Sequence, residues 1–200
     1  MSGRLTGAVA VVTGGSRGIG YAVADALYRE GAKVYLLGRD QARLDAARES
    51  MLQGSGSAGD PANDQRVEAA TVEPIPRRID LSKPEEIAAF VAAYPEKRLD
   101  ILVNNAGTAE SVSVEETSDE QWEHHFRVNV DAPFRLMRGF LPLLRRGVHP
   151  CVVNIGSVVS TKGYVGQGAY AASKHALLGL TKVFAREVHG DGIRVCSVEP

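Results

Sequence analysis

Tyr170 and Lys174 stand four residues apart in YAASK, so on a helix they share a face. That pairing suits proton transfer. A carbonyl that accepts hydride becomes an alkoxide and needs a proton. A free phenol, with a pKa near ~10, serves poorly as an acid or base near neutrality. A cation one turn away stabilises phenolate and corrects this. Ser157, upstream and after an apolar run, could donate a hydrogen bond to the substrate oxygen. Ser160 is the rival serine; its place beyond two valines makes it a loop residue. A Tyr/Lys pair alone is a common coincidence at helical spacing, and the serine turns it into a constellation.

A second chemical signal lies near the start of the chain, where VAVVTGGSRGIGYAVADAL places four glycines and an arginine between an apolar run and a helical pattern. No lysine follows these glycines, so the phosphate loop of ATPases is excluded. The dinucleotide spacing G-x-G-x-x-G is also absent, since Gly14, Gly18 and Gly20 read G-x-x-x-G-x-G. The physics survives the altered spacing. Gly14 permits a tight turn, Gly18 lets backbone N–H groups approach a pyrophosphate, and Gly20 allows close packing of helix on strand.

The elements that must position these groups are legible. Apolar, β-branched runs at 8–13, 33–37, 76–80, 100–103, 151–155 and 193–198 alternate with helical patterns. This predicts an α/β fold, a doubly wound parallel sheet with helices on both faces. A helix is expected over 18–30, and two long ones over 122–144 and 170–189. Ser82 with Glu85, and Ser118 with Gln121, have capping-box spacing, and Pro84 falls in a first turn. Residues 53–64 read as a flexible Gly/Ser/Asp/Pro loop. There is no internal repeat or linker, so residues 1–200 form one domain.

TGGSRGIG resembles the TGxxxGxG loop of the short-chain dehydrogenase/reductase family. Three more of its motifs follow in order: NNAG at 104–107, Ser157 after the fifth apolar run, and YxxxK at 170–174. The stretch NIGSVVSTKGYVGQGAYAASK is similar to the 3-oxoacyl-carrier-protein reductase type. The resemblance implies a Rossmann-like fold and carbonyl reduction with Ser157, Tyr170 and Lys174 as catalytic residues. It adds Asn129, matching a helix asparagine that holds a proton-relay water; a polar residue satisfied within a helix bend is the other reading. Gly14, Ser16, Arg17, Gly18, Ile19, Gly20, Arg39, Asp80, Leu81, Asn105, Tyr170 and Lys174 are implied to contact the cofactor. The NNAG turn could also simply brace the sheet. NADP(H) is expected over NAD(H): the family's acidic position falls on Gly38, and Arg17 and Arg39 suit a 2′-phosphate. Asp40 argues the other way unless it caps the next helix.

Composition excludes other classes. A formal net charge of −1 gives no electrostatic case for nucleic acid. No apolar run reaches the roughly 20 residues of a membrane helix, and the N-terminus lacks a secretory pattern. Cys151 and Cys196, each in a Val/Ile-rich segment, read as buried thiols in a reducing compartment rather than as a disulfide, and the five histidines form no metal pattern. A cytoplasmic enzyme with a small-molecule or acyl-carrier-linked carbonyl substrate is expected. By resemblance it pairs its long helices into a homodimer or homotetramer. The second of these is apolar at Ala171, Leu178 and Phe184, a face wide enough to serve both core and partner.

The family pattern continues past the final IRVCSVEP with a substrate-covering segment, a last strand and a last helix, which are absent from these 200 residues. Truncation or a shortened relative is expected. A catalytically weak dinucleotide-binding subunit, or an NAD-dependent secondary-alcohol dehydrogenase, are the alternative readings.

Overall fold

The computed structural model describes residues 3–54 and 72–200. Six strands form one sheet: β1 (Val9–Thr13), β2 (Lys33–Gly38), β3 (Ile75–Arg78), β4 (Ile101–Asn104), β5 (Cys151–Ile155) and β6 (Arg194–Val198). All neighbours run parallel, in the order β3-β2-β1-β4-β5-β6. The order reverses between β1 and β4, which opens a crevice beyond their carboxyl ends, where doubly wound sheets bind ligands. β3 begins and ends earlier than its apolar run. Its partner β2 stops at Gly38, so the ladder closes with the Ile79 N–H on the Gly38 carbonyl at 2.8 Å. Pro76 is tolerated there because β3 is an edge strand.

Alternate strand residues feed two cores, as a sheet covered on both faces requires. Val9, Val11, Leu37, Leu102 and Val152 pack with Ile87 of α3 (Pro84–Ala92), Phe140 of α5 (Ala132–Leu144) and Phe184 of α6 (Gly168–Glu187). Ala10, Val12, Leu36 and Val103 face α1 (Gly18–Arg29) and α2 (Gln41–Gln53) through Ala24, Leu44 and Met51. Among the described residues, no helix is long and apolar enough to cross a membrane. The 53–64 loop lies, beyond Gly54, outside the described residues.

Helix starts follow local chemistry, with one correction. Ser118 and Gln121 form both halves of the capping box that opens α4 (Asp119–Phe126). Ser82 and Glu85 do not form theirs. Lys83 precedes Pro84 and is held extended (φ −111°, ψ 104°), so it cannot be helical and becomes the cap itself. The Ser82 hydroxyl instead donates to Asp80 at 2.7 Å. The expected helix over 122–144 is also divided. α4 gives way to a wide π turn, Arg127–Asp131, before α5 begins.

Candidate active site at the switch point

The glycine loop leaves β1 beside the reversal in strand order. Gly14 and Gly18 have φ of +64° and +55°, a left-handed conformation that glycine adopts without cost. Gly20 is there for contact: a Cβ on it would strike the Gly14 carbonyl and the Asn105 amide. A Cβ on Gly18 would meet nothing within 4 Å, so that stretch of backbone faces open space. Arg17 caps α1 without a side-chain hydrogen bond, and the first turn carries no acidic residue. The first N–H groups of α1 thus present unspent donors and the positive helix end, a cradle that fits a pyrophosphate. Ser16 is half-buried in this loop, whereas Arg17 and Ile19 are exposed.

The NNAG turn is tied to that loop from β4. Asn105 donates through its amide to the carbonyls of Thr13 at 2.9 Å and Gly14 at 3.3 Å. The Thr13 hydroxyl in turn accepts from the N–H groups of Asn105 and Ala106, both at 2.9 Å. The turn therefore braces the sheet. Thr13 was given no role in the sequence reading, although the TGxxxGxG motif opens on it at the strand end. At the next strand ends, Arg39 is exposed and Leu81 is buried. Asp80 is partly buried, which pushes its carboxyl up; hydrogen bonds from Ser82 and the nearby charges of Arg39 and Lys83 outweigh this and hold it below the ordinary range. Asp40 accepts from the Arg43 N–H at 3.1 Å and is the cap of α2. Among the described residues, the guanidinium groups of Arg17 and Arg39 make no hydrogen bond.

Tyr170 lies in the first turn of α6 and Lys174 follows one turn later, with Nζ 5.9 Å from the Tyr170 ring centre. Among the described residues the Tyr170 hydroxyl has no partner. Lys174 is buried and donates to the Ile155 carbonyl at 2.7 Å, at the end of β5. Burial pulls its ammonium down to about 8, against an opposing pull from Glu199. Ser157, two residues past Ile155, is extended and half-buried, and its hydroxyl accepts weakly from the Val159 N–H at 3.4 Å. Ser160 is buried and bonds the Ser157 N–H at 3.1 Å, so it belongs to the framework of the turn.

Asn129 sits in the π turn and is buried. Its amide accepts from the Thr108 N–H and donates to the Thr108 carbonyl and the Ser173 hydroxyl, each at 2.9 Å. Ser173 passes the link to the Tyr170 carbonyl at 2.7 Å. A Cβ on Gly107 would lie 3.2 Å from the Asn129 amide oxygen and 3.7 Å from Lys174 Nζ. The structure thus brings Gly107, Asn129, Lys174 and Tyr170 together, with the Ser157 turn joined through Ile155.

Two neighbours carry no motif. His125 is buried with its ring 6.4 Å from that of Tyr170. Its Nδ1 meets the Gln121 carbonyl and its Nε2 accepts from the Glu110 N–H, which assigns the ring proton to Nδ1. This is a packing histidine, as expected of a residue beside His124 on a helix. Glu199 reaches the Ser157 turn from beyond β6. Nothing local in SVEP signals it.

The short chain dehydrogenase family model matches residues 8–200. The chain is 35% identical over 198 residues to the 3-oxoacyl-acyl-carrier-protein reductase FabG of Vibrio cholerae, covering 98% of this chain and 73% of that protein. It is also 35% identical, over 98% of this chain and 71% of the relative, to 2-dehydro-3-deoxy-D-gluconate 5-dehydrogenase of Bacillus subtilis. A metagenomic short-chain oxidoreductase solved in complex with NADP superimposes with a TM-score of 0.85 at 33% identity, over 98% of this chain and 83% of that one. Strand order, glycine cradle and family match agree: the chain belongs to the short-chain dehydrogenase family of oxidoreductases.

Proposed function

We propose that this chain is an NADP(H)-dependent reductase that reversibly converts a carbonyl to a secondary alcohol, its substrate a 3-oxoacyl thioester or related ketone. The observation that carries the reading is a phenol, its hydroxyl without a partner among the described residues, one helical turn from a buried ammonium at the carboxyl end of the sheet. When bound, the nicotinamide supplies the hydride to the carbonyl carbon. Tyr170 gives its hydroxyl proton to the alkoxide oxygen that results, and Ser157 donates a hydrogen bond that orients the same oxygen. Lys174 stabilises the phenolate left behind, and Asn129 holds the path by which the proton returns. Gly14, Ser16, Gly18, Ile19 and Gly20 cradle the pyrophosphate, with Asn105, Asp80 and Leu81 lining the nucleoside. Arg17 and Arg39 take the 2′-phosphate, supported by their exposure and by the NADP bound in the structural relative. The 3-oxoacyl substrate rests on the name of the Vibrio cholerae relative; the Bacillus subtilis relative, at the same identity, bears the name of a sugar-acid dehydrogenase.

The test follows NADPH consumption with acetoacetyl thioesters, quinones and small ketones. Tyr170→Phe is expected to lower turnover by about a hundredfold or more with NADPH affinity retained. A Tyr170→Phe variant with near-parental turnover removes the assignment.

A further inference from the structure

Glu199 follows β6 and turns its carboxylate back toward the Ser157 loop. One oxygen accepts from the Ser157 N–H at 2.6 Å, and the other accepts from the Ser197 hydroxyl. The Ser160 hydroxyl bonds the same carboxylate. Room is kept for it by Gly156, where a Cβ would collide with the Glu199 oxygens. Burial pushes this carboxyl up. The three hydrogen bonds and the Lys174 charge together hold it below its ordinary value, so it stands as an anion.

The charge matters because of what faces it. Among the described residues, the titratable groups around Lys174 are Tyr170 on its own helix and Glu199 beyond β6. Gly107 and Asn129 approach from the β4 and π-turn side and are neutral, and His125 of α4 meets the Tyr170 ring. Glu199 is thus the counter-charge to a buried ammonium whose direct hydrogen bond goes to a neutral carbonyl. It also grips the N–H of the residue assigned to orient substrate.

Resting on the acid–base reading of Tyr170 and Lys174, we propose that Glu199 is a positioning residue. It keeps Lys174 protonated and fixes the Ser157 turn, so that the site works into mildly alkaline solution. Without the carboxylate, burial acts on Lys174 unopposed and the ammonium releases its proton earlier. Glu199→Gln removes the charge and keeps the size, whereas Glu199→Asp keeps the charge.

The experiment reads Lys174 directly, by the pH titration of its ¹³Cε resonance in the protein without cofactor, assigned by its loss in Lys174→Met. The parent is expected to titrate near pH 8. Glu199→Gln is expected to titrate lower by about half a pH unit or more, and Glu199→Asp close to the parent. Coupling is reciprocal, so the Glu199 carboxyl in Lys174→Met is expected to titrate higher than in the parent. That second measurement stands even where Glu199→Gln fails to fold. The alkaline limb of the kcat/KM profile for ketone reduction is expected to move in the same direction as Lys174. An unchanged Lys174 titration in Glu199→Gln overturns the proposal, as does an unchanged Glu199 titration in Lys174→Met. Retained turnover in Tyr170→Phe overturns the acid–base reading instead and leaves these titrations where they are.

Discussion

Lys174 carries two opposing demands, since the proposed chemistry needs a cation and the fold buries it. Below about pH 8 folded and unfolded chains both hold the Lys174 proton, and the cost of burying the charge is fully present. Between about 8 and the ordinary lysine value of 10.5, the unfolded chain binds a proton that the folded chain has released. Stability contributed by this group therefore rises with pH across that window. Relative to Lys174→Met, the parent is expected to gain about 3 kcal/mol from roughly pH 7.5 to 10.5, read by urea unfolding of both proteins at several pH values. A constant difference across the window contradicts the burial argument. Gly38 offers a second residue-scale test, of cofactor choice. Its backbone is not left-handed, and the three atoms nearest a Cβ there all belong to the flexible Leu44 side chain, the first at 3.3 Å. Gly38→Asp is therefore compatible with the fold, and its carboxylate is expected to repel a 2′-phosphate and accept from a ribose hydroxyl. The NADPH-to-NADH ratio of kcat/KM should fall by about tenfold or more; an unchanged ratio places the 2′-phosphate elsewhere.

At the scale of elements, what was legible depended on whether the signal was local. β1, β2, β4 and β5 were visible because burial on both faces demands continuous apolar runs; β6, at the sheet edge, alternates exposed and half-buried residues, and its Cys196, expected as a buried thiol, is exposed. The Ser118 cap was visible because donor and acceptor lie three residues apart. The Ser82 cap failed because Pro84 constrains the residue before it, a local rule that outranked the motif. The π turn was invisible to periodicity, which has no way to register one inserted residue. Its trace is Asn129, polar and buried amid RVNVD. Glu199 was invisible for a different reason: its partners Ser157 and Lys174 come from other elements, and only the β5–β6 pairing brings them near. The π turn carries its own prediction. Asn129→Ala strips the Thr108 N–H, the Thr108 carbonyl and the Ser173 hydroxyl of a partner in a buried place. Such losses cost about 1–3 kcal/mol, which denaturant unfolding would register. Because Ser173 also bonds the Tyr170 carbonyl, turnover is expected to fall more than the lost stability accounts for, measured well below the unfolding transition.

For the whole molecule, the reversal between β1 and β4 sets the cofactor crevice, and the helix layers decide what remains for a partner. α1 and α2 cover one face of the sheet, and α3, α5 and α6 cover the other, with α4 packed on α6. The second layer keeps apolar side chains at its surface: Trp122 on α4 is 45% exposed, Phe134 on α5 40% and Val183 on α6 54%. Phe184, expected to serve core and partner alike, goes to the core, and its neighbour Val183 points out. Large apolar groups left exposed on three helices of one layer are what an interface between copies needs, and a two-fold contact would bury each of them twice. We therefore expect the parent to sediment as a dimer or tetramer. Phe134→Glu combined with Val183→Glu places one carboxylate on α5 and one on α6 at that surface without entering the core, so the fold and its circular dichroism should persist. Burying four unpaired charges per two-fold contact costs several kcal/mol, enough to drive the variant to single chains at micromolar concentration. A parent that already sediments as a single chain, or a variant that keeps the parental assembly, moves the contact off this layer.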